Sequence, residues 1–261
     1  MTIGAHGDIF EWLLSIAFLH LRVSAFMASA PIFSLLYLSL PIRIVAITLL
    51  CVALSRMVAT PVPSIGEPLT LLLFAIKEIA IGAILGMTMR MMFAAAAMAG
   101  EIIASTMGLS FAAMVDPASG DANPLVAQLL NLLMVLAFLE ANGPLMLLTV
   151  LRDSYTAFAP MHNAPWSFIA HDSLAAIGQS FAQAILLMAP VVFVIFLVNA
   201  AIGVLNRLAP QMNMFSIGIP LALLCGVAAL ALYMPVLTAR MAHIAQSAIE
   251  FTQRLMAPAL P

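Results

Sequence analysis

Charged residues are scarce in this 261-residue sequence. Only 8% of its residues are Asp, Glu, Lys or Arg, whereas 64% are hydrophobic. A soluble domain is about a quarter charged, because charged side chains supply most of a surface that faces water. The composition therefore excludes a soluble monomer.

Other scarcities exclude further classes of protein. The net charge of -2 offers no basic surface, so the sequence predicts no nucleic-acid partner. Cys51 and Cys225 lie in separate apolar stretches, which favours two small core residues over a disulfide framework or a zinc site. The histidines form no cluster, and neither a nucleophile elbow nor an HExxH motif occurs. The sequence therefore predicts neither an enzyme nor a metal or other cofactor site.

The first apolar stretch, Trp12 to Met27, could be a signal peptide, because the small residues Ala28-Ser29-Ala30 follow it. A signal peptide needs a basic leader and an uninterrupted apolar core. Here Asp8 and Glu11 precede the stretch, and Arg22 interrupts it. We therefore expect a retained first helix.

Long uncharged stretches indicate membrane helices. No charge occurs between Asp172 and Arg207 or between Arg207 and Arg240, and about 20 helical residues cross the hydrocarbon. The strand pattern of a membrane barrel is missing, so helix is the predicted element. The sequence predicts a single-domain, all-α membrane protein with about six hydrophobic segments. They are these two stretches and residues 10–30, 42–60, 69–98 and 125–151. Basic residues are spread over both possible sides, so we assign no orientation.

Proline and glycine interrupt these segments. In the fourth one Gly143 and Pro144 follow Asn142, and proline removes a backbone hydrogen bond and bends a helix. We predict a bent hairpin here, with arms near 125–141 and 144–158. Turn-forming residues predict two loops, at Gly108–Pro124 and at 153–172.

The third segment places Glu78, Gly82, Gly86 and Arg90 four residues apart, on one helix face. Gly100 and Glu101 lie further along. The Gly82–Gly86 pair lets two helices approach closely. This motif alone leaves open whether the second helix belongs to the same chain or to another subunit.

Four charges lie in this largely apolar segment, at Lys77, Glu78, Arg90 and Glu101. Each would cost about 2.5–3.5 kcal/mol if it faced lipid at mid-bilayer. We therefore expect them to face protein, a water-filled passage or the membrane interface. The only other charges near span interiors are Arg22, Glu140 and Arg207, and this scarcity favours partners in other subunits.

After Arg240 the sequence predicts an amphipathic helix over 240–257. Its apolar seam has alternating spacings of three and four, while polar residues, including a Glu250–Arg254 pair, lie off the seam. The seam consists of Met241, Ile244, Ala248, Phe251 and Leu255. We expect this helix to lie on a membrane surface or against a partner.

Eight stretches in order resemble the FliR family, components of the flagellar protein-export gate with relatives in virulence type III secretion. The resemblance covers about 30–240 and is strongest in NAAIGVLNRLAPQMNMFSIGIPL, residues Asn199–Leu221. The others are APIFS (30–34), PIR (41–43), IGAILGMTM (81–89), AGE (99–101), MGLSFA (107–112), VDP (115–117) and FLEANG (138–143).

The resemblance implies a subunit that assembles with FliP-like and FliQ-like partners into a cone of bent hairpins. This cone is the entry to a channel for unfolded flagellar proteins, in the bacterial inner membrane at the flagellar basal body. FlhB-like and FlhA-like export components are further implied partners, and lipid surrounds part of the assembly. Because such helices pack largely on partners, the six segments need not be six crossings.

Two sets of residues match functional parts of the family. The channel plug is similar to the loop at 108–123, which a glycine hinge would let swing aside. Its residues here are Gly108, Leu109, Ser110, Phe111, Met114, Asp116 and Pro117. The segment at 206–220 is similar to the family signature. Its polar side chains suggest a buried hydrogen-bond network at a helix end. Its residues are Asn206, Arg207, Pro210, Gln211, Phe215, Gly218 and Pro220.

Two alternative functions remain at this point. One is the virulence type III secretion counterpart. The other is a secondary transporter for a small solute, which broken helices and charges within spans suggest.

Overall fold

A computed structural model describes residues 4–30, 39–58, 68–109, 125–158, 166–208 and 214–256. Within these ranges the chain forms seven α-helices and no strand, which confirms the predicted all-α fold. The helices are α1 (Gly4–Ser29), α2 (Leu40–Ser55), α3 (Pro68–Thr106), α4 (Leu125–Glu140), α5 (Gly143–Ala157), α6 (Trp166–Leu208) and α7 (Met214–Met256).

Three helices are long and apolar enough to cross a membrane, over Leu69–Thr106, His171–Leu208 and Gly218–Met256. The bent pair α4 and α5 brings the number to four if it counts as one span. The apolar parts of α1 and α2 are shorter. By length and composition, the described chain therefore has fewer possible crossings than its six hydrophobic segments.

The predicted bend in the fourth segment is confirmed. Helix α4 ends at Glu140, α5 begins at Gly143, and the helix axis bends by 70° between them. Asn142 has φ 55°, in the left-handed region that asparagine tolerates better than most residues. Its carbonyl accepts the first backbone bonds of α5, from Leu145 and Met146 at 3.1 and 3.2 Å. The break is therefore a defined turn.

The predicted loop at 153–172 is shorter than expected. Helix α5 continues through Ala157 and α6 begins at Trp166, so only 159–165 lies outside the described residues. Asp153 remains compatible with helix because its side chain is partly exposed.

The predicted C-terminal amphipathic helix is the last part of α7, which runs through Arg240 without a break. Arg240 is exposed, so its charge does not interrupt the helix. The seam at 241–255 is buried by the chain itself, while the Glu250 and Arg254 side chains are exposed and lie 3.9 Å apart. The seam is therefore not left open for a membrane surface or a partner.

The chain divides into two compact units, and the single-domain assignment stays a prediction. Unit one comprises Met1–Met91, Asn142–Ala176 and Ser247–Pro261. Unit two comprises Met92–Ala141 and Ile177–Gln246. Helices α3, α6 and α7 contribute to both units.

The core of unit one forms where α1 packs against α2 and α3. Leu19, Val23 and Phe26 of α1 are at most 2% exposed, and the rings of Phe18 and Phe74 meet edge to face at 4.7 Å. Cys51 of α2 is fully buried, as predicted for a small core residue.

The core of unit two is lined by α3 and α4, whose Phe93 and Phe138 rings lie 5.3 Å apart. Buried residues of α6, such as Val191 and Ile195, belong to the same unit. Cys225 of α7 is only half-buried, contrary to the prediction of a core residue. It lies beside, rather than on, the buried face of α7.

Candidate functional site

Helices α1 and α3 are in backbone contact along the predicted glycine face. A Cβ atom on Gly82 would collide with the Arg22 carbonyl oxygen, and one on Gly86 would collide with the Ser29 hydroxyl. The Cβ atom on Gly86 would also lie only 2.7 Å from the Phe26 carbonyl oxygen. The second helix for this glycine pair is therefore α1 of the same chain.

Gly100 has the same function in unit two. A Cβ atom there would lie 2.5 Å from Ala127 Cα, which belongs to α4. Its neighbour Glu101 is exposed and does not take part in this contact. The line of small residues along α3 thus receives α1 near one end and α4 further along.

A buried ion pair closes the contact between α1 and α3. Arg22 is fully buried and Glu78 is 2% exposed. Arg22 Nε donates to Glu78 Oε2 at 2.6 Å, and Nη2 donates to Oε1 at 2.8 Å. This fork geometry matches the two carboxylate oxygens, which makes the pair both strong and directional.

The remaining donors of Arg22 bind the C-terminal end of α5. Nη1 donates to the Ser154 carbonyl at 2.7 Å and to its hydroxyl at 3.3 Å, and Nη2 donates to the Phe158 carbonyl at 3.3 Å. A guanidinium has five N–H donors, and all five are satisfied. Carbonyls at a helix C-terminus carry partial negative charge, so they suit this cation.

Tyr155 completes the polar cluster. The Arg22 guanidinium lies over its ring, 4.1 Å from the centroid, and the Tyr155 hydroxyl donates to the Leu19 carbonyl at 3.0 Å. The cluster of Arg22, Glu78, Ser154, Tyr155 and Phe158 therefore joins three helices of unit one. With its donors satisfied, it is suited to hold helices together.

Only part of this cluster can be predicted from the sequence. Arg22 is one of the few partners for Glu78 that the chain itself offers, and the structure confirms this pairing, so Glu78 needs no partner from another subunit. Ser154 and Phe158 gave no sequence signal, because they lie more than 130 positions from Arg22. Tyr155, a polar aromatic residue in a largely apolar helix, is the one sequence feature that indicates a buried polar contact here.

Two other charges of α3, Arg90 and Glu101, are exposed. They lie 11 residues apart, or about 20° on a helical wheel at 100° per residue, and so share one helix face. Neither forms an ion pair with another described residue. What covers these two charges in the membrane stays a prediction.

Of the plug residues, only Gly108 and Leu109 are described, while Ser110, Phe111, Met114, Asp116 and Pro117 lie outside the described residues. Gly108 has φ 86°. Its N–H donates to the Ser105 carbonyl, and that of Leu109 donates to the Ala104 carbonyl, both at 3.1 Å. This pair of bonds is the Schellman motif, which ends a helix with a left-handed glycine.

The signature residues lie on both sides of the connection between α6 and α7. Asn206 is half-buried, Arg207 and Pro220 are exposed, and Gly218 is buried. Phe215 lies in the first turn of α7, and only its backbone is described. Pro210 and Gln211 lie outside the described residues. Arg207 is exposed and so does not belong to a buried network within the described chain, contrary to the expectation for this residue.

The described residues contain no group of three or more His, Cys, Asp or Glu side chains that could hold a metal ion. The features that are present are helix contacts, a buried polar cluster and a capped helix end. These arrangements position helices and a connecting segment.

Comparison with known proteins identifies the relatives of this chain. The family profile described as "Bacterial export proteins, family 1" matches residues 13–248. Flagellar biosynthetic protein FliR of Escherichia coli (strain K12) is 36% identical over 228 residues, which cover 86% of this chain and 85% of the relative. FliR of Pectobacterium carotovorum subsp. carotovorum is 33% identical over 243 residues, covering 91% and 90%.

The surface presentation of antigens protein SpaR of Shigella sonnei is 31% identical over 228 residues, which cover 84% of this chain and 88% of the relative. The family match and both kinds of relative extend over most of the chain, and the apolar helices fit a membrane-embedded component. The chain therefore belongs to the FliR family of bacterial export proteins and is a subunit of a type III export apparatus.

Proposed function

We propose that this chain is the subunit of the flagellar export gate that forms, with FliP-like and FliQ-like partners, the channel for unfolded flagellar proteins. The complex lies in the inner membrane at the flagellar basal body, next to FlhB-like and FlhA-like components. The flagellar assignment is supported by the two FliR relatives, which are flagellar biosynthetic proteins by name, and the channel by the surface properties of the helices.

The observation that carries the proposal is the large apolar surface that the chain leaves open. In the three candidate spans, the chain buries only 28%, 22% and 22% of the most apolar stretch of the helix. Phe193 and Phe196 of α6 are 61% and 65% exposed. Such faces require lipid or protein cover, because soluble proteins rarely expose large contiguous apolar patches.

The exposed charges on α3 favour protein or water over lipid for part of this cover. Arg90 and Glu101 lie within the span Leu69–Thr106, where an ionised group facing lipid at mid-bilayer costs about 2.5–3.5 kcal/mol. Partner helices with polar groups, or a water-filled passage, remove this cost. A subunit of a multi-chain channel offers both surroundings.

Within this proposal the loop at 108–123 is the channel plug. Phe111 and Met114 supply bulky apolar side chains that need no hydrogen-bond partner, and methionine adapts its shape to its neighbours. Apolar constrictions can close a pore by excluding water. The physical chemistry of these residues therefore suits a seal.

Co-expression tests the assembly. A tagged copy of this chain, solubilised in mild detergent, is expected to purify with FliP-like and FliQ-like proteins, and deletion of its gene is expected to abolish motility. A plasmid copy that restores motility is the control. Isolation of a stable lone chain, with normal filaments in the deletion strain, would contradict the proposal.

Conductance tests the plug. Deletion of Phe111–Met114 is expected to raise ion leakage through the assembled complex. The matched controls replace Phe111 and Met114 together, once by Leu and once by Ser, because only leucine keeps the apolar bulk. Leakage that stays at the wild-type level in the deletion and Ser variants would reject the plug assignment.

The virulence counterpart is the second candidate, since SpaR is also a relative. Complementation separates the two. The chain is expected to restore motility to a strain that lacks its flagellar FliR, and not to restore secretion to one that lacks SpaR. The reverse result would favour the virulence system.

A further inference from the structure

The end of α3 rests on α7 at two positions. Gly108 faces Ile219, whose Cγ2 atom would lie 3.3 Å from a Cβ on that glycine. Met107 lies over Gly226, where a Cβ would come within 2.7 Å of its Cγ, 2.9 Å of its Cε and 3.1 Å of its Sδ. Ile219 and Gly226 are seven residues apart, so they lie on one face of α7, two turns apart.

The absence of a side chain at Gly226 creates the space that Met107 fills. Met107 is 1% exposed, so nearly its whole side chain is enclosed. A single methyl group at Gly226 would displace two of its atoms and crowd the sulfur. By contrast, Gly203 of α6 has no atom within 4 Å of the equivalent position. Gly226 thus forms a notch in the surface of α7, a gap that the Met107 side chain fills, whereas Gly203 faces open space.

We propose that Met107, seated in the Gly226 notch, is a positioning residue that fixes where the segment at 110–124 leaves α3. The Schellman bonds hold the backbone at Gly108 and Leu109, and the notch holds the adjacent side chain. The root of the segment is then a fixed cap rather than the glycine hinge expected from the sequence. The importance of this root for sealing a channel rests on the function proposed above.

A labelling experiment in the assembled complex tests the positioning. Cys51 and Cys225 are replaced by Ala, and Phe111→Cys is introduced as the probe for a membrane-impermeant maleimide. Gly226→Ala is expected to change the labelling rate about fivefold or more, the shift in equilibrium that about 1 kcal/mol of overpacking produces. Gly203→Ala is the matched control and is expected to leave the rate unchanged.

A compensating variant separates positioning from misfolding. Combining Gly226→Ala with Met107→Ala removes the clash and is expected to return assembly to the wild-type level if the first variant lowers it. The shortened side chain no longer fixes the root, so labelling stays altered. If Gly226→Ala leaves both labelling and assembly at the control level, the proposal is overturned.

Cross-linking provides a second measurement. The pair Met107→Cys and Gly226→Cys is expected to form a disulfide on mild oxidation, because the two side-chain positions are adjacent. Export is expected to continue while the disulfide is closed, since the root does not move. Failure to cross-link, or export that stops on oxidation and returns on reduction, would overturn the proposal. Altered labelling with unchanged ion leakage would leave the positioning intact and count against the plug function.

Discussion

The buried Arg22–Glu78 pair gives the sharpest prediction about stability. Replacing Glu78 by Leu leaves the Arg22 guanidinium enclosed in unit one without its carboxylate. Removing one partner of a buried ion pair typically costs about 3–5 kcal/mol. The expected loss in the folding equilibrium is therefore roughly a hundredfold to several thousandfold.

The double variant Arg22→Met with Glu78→Leu distinguishes the pair from its parts. An apolar pair of similar size has no buried charge to desolvate and is often neutral or stabilising. Here the Phe158 carbonyl loses its Arg22 donor, while the Ser154 carbonyl keeps the backbone N–H of Phe158 at 3.0 Å. We therefore expect the double variant to recover most, though not all, of the loss caused by Glu78→Leu.

The assay is the fraction of chain that remains folded and assembled in detergent after graded heating or denaturant. Arg254→Met is the matched control, because this arginine is exposed in unit one and only 3.9 Å from the exposed Glu250, so its loss is expected to change stability by at most about 0.5 kcal/mol. A cost of Glu78→Leu no larger than that of the control would contradict the stabilising effect of the pair. So would a double variant whose loss equals the sum of the two single losses.

Three further predictions concern helix contacts. Gly86→Val is expected to separate α1 from α3 and to lower assembly strongly. Gly203→Val places its side chain in open space and is expected to be tolerated. The yield of co-purified FliP-like and FliQ-like partners measures both. At Asn142, Gly is expected to preserve the left-handed turn and Val to cost about 1–2 kcal/mol in a thermal unfolding assay. Phe251→Asp, which buries a charge in the α7 seam, is expected to destabilise unit one, while Gln253→Asp on the exposed face is not. Equal melting behaviour of that last pair would contradict the burial of the seam.

The helices and their small contact residues follow largely from local sequence. Residues four apart share a helix face, so the spacing of Glu78, Gly82 and Gly86 predicts a contact surface. Glycine ends α3 at Gly108, and Gly143-Pro144 marks the bend between α4 and α5, because both effects are local backbone properties.

The partners of these local features depend on long-range packing, and the sequence does not reveal them. Glu78 meets Arg22 from 56 positions away, and Met107 meets Gly226 from α7. Helix ends are hard to locate from charge alone, because a charged residue such as Arg240 can lie within a helix. That side chain is exposed and so adds no cost to continuing the helix.

The interleaved order of the two units has a consequence for synthesis. Unit two takes its helices from 92–141 and 177–246, so all of its parts have been made before residue 247 is reached. Unit one has to wait for Ser247–Met256, which supply Ala248, Phe251 and Leu255 to its interior. A chain that is cut short within the last turns of α7 therefore contains every part of unit two while unit one is still open, a state that proteases and chaperones can recognise.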